Sequence, residues 1–127
     1  MNVNCGIDII EIDRIKESIE TLEDKFTQRI YTKKEIEYCE SKKNQKYQHY
    51  AARFAAKEAM FKAIANQLND KYSISWKDIE VENDKNGKPV VKIINEEIAK
   101  KLKNIKSIDL SISHCRNYAV VNVVVLT

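Results

Sequence analysis

Apolar and polar positions along the chain alternate between strand-like and helix-like spacing, and turn-forming residues separate the segments. Val3 to Ile12 is rich in β-branched residues and reads as a first strand, after which Asp13 can cap a helix through Arg14, Ile15, Ile19 and Leu22. Thr32-Lys33-Lys34-Glu35 is a capping-box pattern opening a short helix through Ile36 and Cys39 to about Ser41. A long helix follows from about Tyr47 to Leu68. Ser75 to Glu82 alternates, with Ile74, Trp76, Ile79 and Val81 spaced as in a half-exposed strand. Asp84-Lys85-Asn86-Gly87-Lys88-Pro89 then supplies turn chemistry before a strand from Val90 to Ile94, which predicts a hairpin. Asn95 can cap a helix through Ile98 and Leu102. Two strands close the chain, Ser107 to Ser113 and Tyr118 to Leu126, turning at His114-Cys115-Arg116-Asn117. This order implies an α+β domain spanning 1–127, with a largely antiparallel sheet packed against the long helix.

The long helix carries the first chemical signal. At about 100° per residue, Glu58 projects among Phe54, Ala51, Ala55, Phe61 and Ala65, with Lys62 one turn further on the same side. Ala52, Ala56, Ala59 and Ala63 cover the opposite side, which leaves Arg53 and Lys57 as the polar stripe where solvated charges are expected. A buried carboxylate calls for a cation, a metal or a proton. A plain i,i+4 pair between Glu58 and Lys62 would also satisfy it.

The first strand carries the second. Asp8 stands among apolar neighbours in Cys5-Gly6-Ile7-Asp8-Ile9-Ile10-Glu11-Ile12, the pattern of a strand covered on both faces. Gly6, two residues earlier on the same face, lets a ligand or another backbone come close. Asp8 can serve simply as an acceptor for backbone N–H groups. Together with Glu58 it can instead converge on one divalent cation such as Mg²⁺, with Lys62 beside it as a phosphate-binding charge.

Composition narrows the partners. A formal net charge of +3 is too small to demand nucleic acid. Cations cluster at Lys33-Lys34, Lys42-Lys43 and Lys100-Lys101-Leu102-Lys103, which favours an acidic partner or an anionic ligand. Against this lysine-rich background, Arg14, Arg29, Arg53 and Arg116 hint at planar recognition of phosphate or carboxylate. Cys5, Cys39 and Cys115 are far apart, with no CxxC pair, and fit buried thiols in a reducing compartment. No signal-peptide pattern follows Met1 and no apolar run is long enough to span a bilayer, so a cytoplasmic location without a membrane partner is expected.

Several of these segments, in this order and spacing, closely resemble the holo-acyl-carrier-protein synthases, which are 4′-phosphopantetheinyl transferases. They are Gly6-Ile7-Asp8 with Arg14-Ile15, Phe54-Ala55-Ala56-Lys57-Glu58-Ala59 with Lys62-Ala63, and Ser111-Ile112-Ser113-His114. The resemblance extends over the Thr32 to Cys39 segment and the Asn86-Gly87-Lys88-Pro89 turn; Phe54 stands where many relatives carry Trp. It implies the 4′-phosphopantetheinyl transferase fold and transfer of phosphopantetheine from coenzyme A to a serine of apo acyl carrier protein, in fatty acid biosynthesis, leaving adenosine 3′,5′-bisphosphate. By the same resemblance Asp8 and Glu58 would hold Mg²⁺ against the pyrophosphate, Lys62 would bind pyrophosphate oxygens, and Glu58 is a candidate acceptor for the serine proton. Arg53 and His114 would take the 3′-phosphate, with Gly87 and Pro89 of the turn also contributing to the coenzyme A site. Arg14, with Lys16, would dock the acidic carrier protein; Arg29 and Lys33-Lys34 are further docking candidates. The short form of the family is a homotrimer with its sites between subunits.

Two other readings are also drawn from the sequence. A metal-dependent phosphohydrolase acting on a nucleotide pyrophosphate would employ the carboxylates and Lys62 with water as acceptor. A nucleic-acid binding module rests only on the basic balance and lacks an aromatic-and-basic motif.

Overall fold

The predicted strands and helices occur in the predicted order, with one helix added, in a computed structural model, which describes residues 1–68 and 73–127. Strand β1 (Val3–Glu11) leads into helices α1 (Ile12–Leu22), α2 (Asp24–Ile30), α3 (Lys33–Ser41) and the long α4 (Lys46–Ile64). The hairpin β2 (Ile79–Asn83) and β3 (Pro89–Ile93), helix α5 (Glu96–Lys101) and strands β4 (Ser107–His114) and β5 (Tyr118–Leu126) complete it. β5 lies between β1 and β4 in a three-stranded antiparallel sheet, and β2–β3 form a separate two-stranded one. The expected α+β architecture, with antiparallel strands against a long helix, is borne out.

Helix α4 lies on one face of the three-stranded sheet, and Gly6 sets how closely. A Cβ at Gly6 would collide with the Ala59 backbone carbonyl, so strand and helix backbones touch where any side chain would hold them apart. Ala55, Ala59, Met60 and Ala63 of α4 are buried with Leu110, Val121, Val123 and Val125 of the sheet. A second cluster joins the first half of α4 to the preceding helices through Ile12, Ile15, Ile30, Tyr31, Cys39 and Tyr50. Each fully buried Ile, Val or Met side chain stabilises the fold by about 1.5–3 kcal/mol, so these two clusters clamp α4 from both sides.

Local chemistry explains the element ends. Thr32 and Glu35 form the reciprocal capping box at the start of α3. Asn95 Oδ1 accepts from the Glu97 and Ile98 amides at the start of α5. Gly87, at φ 84°, occupies the left-handed position of the hairpin turn, where the Asp84 carboxylate accepts from the Asn86 and Lys88 amides.

The structure departs from the pattern in several places. Helix α1 starts at Ile12, so Asp13 sits in its first turn and favours the helix dipole without a capping bond. Glu23, at φ 52°, breaks the chain between α1 and α2, a separate helix that apolar spacing does not announce. Helix α4 ends at Ile64 and continues only as a 3-10 turn, Ala65–Gln67. Trp76–Asp78 is also a 3-10 turn, so the strand begins at Ile79 rather than Ser75. β2 is not half-exposed, because Glu80 is buried and accepts a 2.6 Å hydrogen bond from Thr32 Oγ1. His114 belongs to β4, which leaves Cys115 to Asn117 as the turn. Of the three cysteines only Cys39 is buried, its thiol pushed up to about 12 mainly by desolvation; Cys5 and Cys115 are exposed. β1 is covered on one face only, and Val3, Ile7 and Ile9 are exposed on the other. Among the described residues no helix is long and apolar enough to cross a membrane.

Candidate active site

The polarity expected of α4 is inverted. Lys57 and Arg53, predicted to be solvated, are 0% and 3% exposed, whereas Glu58 is half-buried and Lys62 is exposed. Partners explain the reversal. Lys57 Nζ lies 2.7 Å from Glu35 Oε1 and donates to the carbonyls of Ile30 (2.8 Å) and Trp76 (3.0 Å), using all three of its protons. Glu35 in turn accepts from the amides of Thr32 and Val81, each at 2.8 Å. Burial lowers the pKa of Lys57, and the Glu35 carboxylate opposes that pull. α4 therefore buries Arg53 and Lys57 toward α3 and β2 and leaves Glu58 toward the open edge of β1.

Asp8, Glu58 and Lys62 meet at that edge. Asp8 lies on the inner face of β1, two residues from Gly6, where strand and helix are closest. Lys62 Nζ is 3.4 Å from Asp8 Oδ1 and donates a 2.8 Å hydrogen bond to the Ile7 carbonyl. Among the described residues Lys62 pairs with Asp8 and makes no ion pair with Glu58, which sets aside the i,i+4 alternative. The Glu58 carboxyl is raised above its usual range, first by desolvation and then by the Asp8 charge, with Lys62 opposing. Two neighbouring carboxylates, one partly desolvated, form a hard oxygen donor pair that suits a cation of the Mg²⁺ type, which takes few protein ligands.

Arg53, Pro89 and His114 come together elsewhere, in a cleft of about 410 Å³ that also takes in His49, Tyr38 and Lys88. Arg53 donates a 2.8 Å hydrogen bond to Asn83 Oδ1 and stacks its guanidinium 4.1 Å from the Tyr38 ring centroid. Among the described residues its buried Nε has no hydrogen-bond partner. Asn83 Nδ2 also donates to the Gly87 carbonyl at 3.0 Å, so the hairpin turn is tied to Arg53. Gly87 stands beside the cleft, outside its lining.

The two groups do not meet within one chain. Arg53 and Glu58 are about 140° apart around the helix at 100° per residue. Asp8 and His114 lie on opposite edge strands of the sheet, with β5 between them. Arg14 is exposed on α1, where it lines a shallow groove with Glu17, Ser18 and Leu22. Lys16 rests over the Tyr47 ring, 5.6 Å from its centroid, and Lys34 pairs loosely with Glu82 at 3.7 Å. His49 is absent from the sequence-based site, although its place one turn before Arg53 puts it on the same helical face.

A profile described as the 4′-phosphopantetheinyl transferase superfamily matches residues 4–121. The chain belongs to this superfamily. The transferase is 45% identical to the holo-[acyl-carrier-protein] synthase of Ruminiclostridium cellulolyticum over 128 residues, covering 98% of this chain and 92% of that one. It superposes on the Helicobacter pylori holo-[acyl-carrier-protein] synthase solved with coenzyme A, with a TM-score of 0.80, 32% identity and 96% and 99% of the two chains covered. The Bacillus anthracis holo-(acyl-carrier-protein) synthase, solved in complex with CoA (3′,5′-ADP), gives a TM-score of 0.74 at 37% identity over 96% and 94%. Likeness of this extent places the transferase among the holo-acyl-carrier-protein synthases.

Proposed function

We propose that the chain transfers the 4′-phosphopantetheine group of coenzyme A to a serine hydroxyl of an apo acyl carrier protein, releasing adenosine 3′,5′-bisphosphate. The observation that carries this reading is the meeting of Asp8, Glu58 and Lys62 at the β1–α4 crossing, in a chain whose relatives bear that activity in their names. Asp8 and Glu58 would hold Mg²⁺. When bound, the cation would supply charge neutralisation at the pyrophosphate, whose bridge breaks so that one phosphate passes to the serine and the other leaves on adenosine 3′,5′-bisphosphate. Lys62, tethered to the Ile7 carbonyl, binds a pyrophosphate oxygen as a point charge. Glu58 accepts the serine proton, directly or through a water. Arg53 and His114 take the 3′-phosphate, with Pro89 shaping the cleft wall and Gly87 letting the hairpin turn close beside it.

Because carboxylates and cleft lie on opposite sides of α4, the reading requires a neighbouring copy to present its cleft to the carboxylates of the first. The outer sheet face, where Val3, Ile7, Ile9 and Val124 are exposed, is suited to that contact, and a homotrimer closes it symmetrically. Arg14 and Lys16 of α1 dock the acidic carrier protein, with Arg29 and Lys33-Lys34 as outlying charges, and salt weakens the encounter. The enzyme works in the cytoplasm and serves fatty acid biosynthesis.

The test is mass spectrometry of apo acyl carrier protein incubated with the enzyme, coenzyme A and Mg²⁺. A gain of one phosphopantetheine is expected. Coenzyme A breakdown that leaves several carrier proteins unmodified would instead identify a phosphohydrolase.

A further inference from the structure

One group in the cation-lined cleft has no assigned task. His49 is half-buried one turn before Arg53 on α4, with its ring edge-on to Tyr38, centroids 5.5 Å apart and planes at 80°. The same Tyr38 ring carries the Arg53 guanidinium at 4.1 Å and the Lys42 ammonium at 4.8 Å from its centroid. β4 brings His114 to the cleft and the hairpin turn brings Lys88. Among the described residues no carboxylate lines the cleft. Glu40, on the α3 side, is engaged by Tyr50 at 2.6 Å and Lys46 at 3.3 Å, and Lys88 pairs outward with Asp109 at 2.8 Å. Arg53 itself lines the cleft, and among the described residues its buried Nε has no hydrogen-bond partner.

We propose that His49 is a further recognition residue of this cleft, and that it takes up a proton from solvent as a phosphate monoester dianion binds beside Arg53. The proposal rests on the reading of the cleft as the nucleotide 3′-phosphate site. In the free protein, burial and then the charges of Arg53, Lys42 and His114 lower the pKa of the imidazole. A phosphate dianion reverses the sign of the local field. A ring-nitrogen lone pair then takes H⁺ from the buffer, and the new N–H donates to a phosphate oxygen, so the complex acquires one proton and one positive charge. His114 is exposed, with its Nε2 3.2 Å from Gln48 Nε2.

The consequence is nucleotide affinity that falls as pH rises. Calorimetric titration of the enzyme with adenosine 3′,5′-bisphosphate, in two buffers of different protonation enthalpy, counts the protons taken up. Uptake approaching one proton is expected for the parent between the free and the bound histidine pKa, and across that interval affinity falls roughly three- to tenfold per pH unit. His49→Gln should lose at least half of that uptake and flatten the profile. Protons taken by the phosphate itself remain in the variant, so equal uptake in both proteins overturns the proposal. NMR titration of the parent is an independent check, since the chain has 2 histidines and His114→Gln assigns both rings. The His49 pKa should rise on binding, and an unmoved value also overturns the proposal. Absence of binding heat at any pH would instead remove the 3′-phosphate reading of the cleft, and the proposal with it.

Discussion

Lys57 Nζ lies 2.7 Å from Glu35 Oε1, and both side chains are wholly buried between α4, α3 and β2. Removing one partner leaves an uncompensated charge among groups that cannot reach water. Lys57→Met or Glu35→Gln should therefore destabilise by about 3–5 kcal/mol. The double variant should lose much less than the sum, because no lone charge remains. Denaturant unfolding of the set checks this, and additive losses would mean that the pair is not coupled.

Gly6 and Ala59 define the closest approach of β1 and α4. Gly6→Ala forces the two backbones apart, at a cost of roughly 1–3 kcal/mol or more. The same shift moves Asp8 away from Glu58, so activity should fall further than the unfolding midpoint predicts. Steady-state kinetics well below the melting temperature separates the two effects.

Asp8→Asn and Glu58→Gln should each reduce transfer by roughly two to three orders of magnitude while leaving the fold intact. Mg²⁺ should raise the melting temperature of the parent and leave both variants unchanged, because the ion stabilises only a protein that binds it. A parent-sized thermal shift in either variant would remove that carboxylate from the metal site.

His49 is held below the ordinary histidine value of 6.5, first by burial and then by Arg53, Lys42 and His114. Between its lowered folded value and the ordinary unfolded one, the unfolded chain binds more protons. Stability of the unliganded protein is therefore present above 6.5 and is lost as pH falls through the lowered value. His49→Gln should flatten that acid limb in denaturant unfolding at a series of pH values. An unchanged limb would assign it to other groups.

Ile7 and Ile9 are 60% and 62% exposed on the outer sheet face. On the proposed trimer, the parent should sediment as a trimer and Ile9→Lys as a monomer in analytical ultracentrifugation. Activity should fall by about a hundredfold, the scale of a misplaced catalytic group. A variant that is monomeric and fully active would show that one chain completes its own site.

Local chemistry was legible wherever it is local. Thr32 and Glu35 cap α3, Asn95 caps α5, and Gly87 turns the hairpin, because each uses atoms within a few residues of itself. The candidate residues Asp8, Glu58 and Lys62 also stood out, since polar groups in apolar runs need partners. Spacing along α4 assigned the wrong side to solvent, however. Periodicity sees only one helix, whereas the burial of Lys57 is decided by Glu35, Ile30 and Trp76 arriving from three other segments.

By itself, then, the sequence determined the order of elements apart from α2, the caps of α3 and α5, the hairpin turn, and which residues carry charge where charge is costly. Only the tertiary structure decided which of those charges are internal and which face the site. It paired Lys62 with Asp8, turned Arg53 and His49 into one cleft, and set that cleft apart from the carboxylates. The reason is physical: a charge is buried or exposed according to the partners that packing brings within hydrogen-bond reach, and those partners lie far away along the chain.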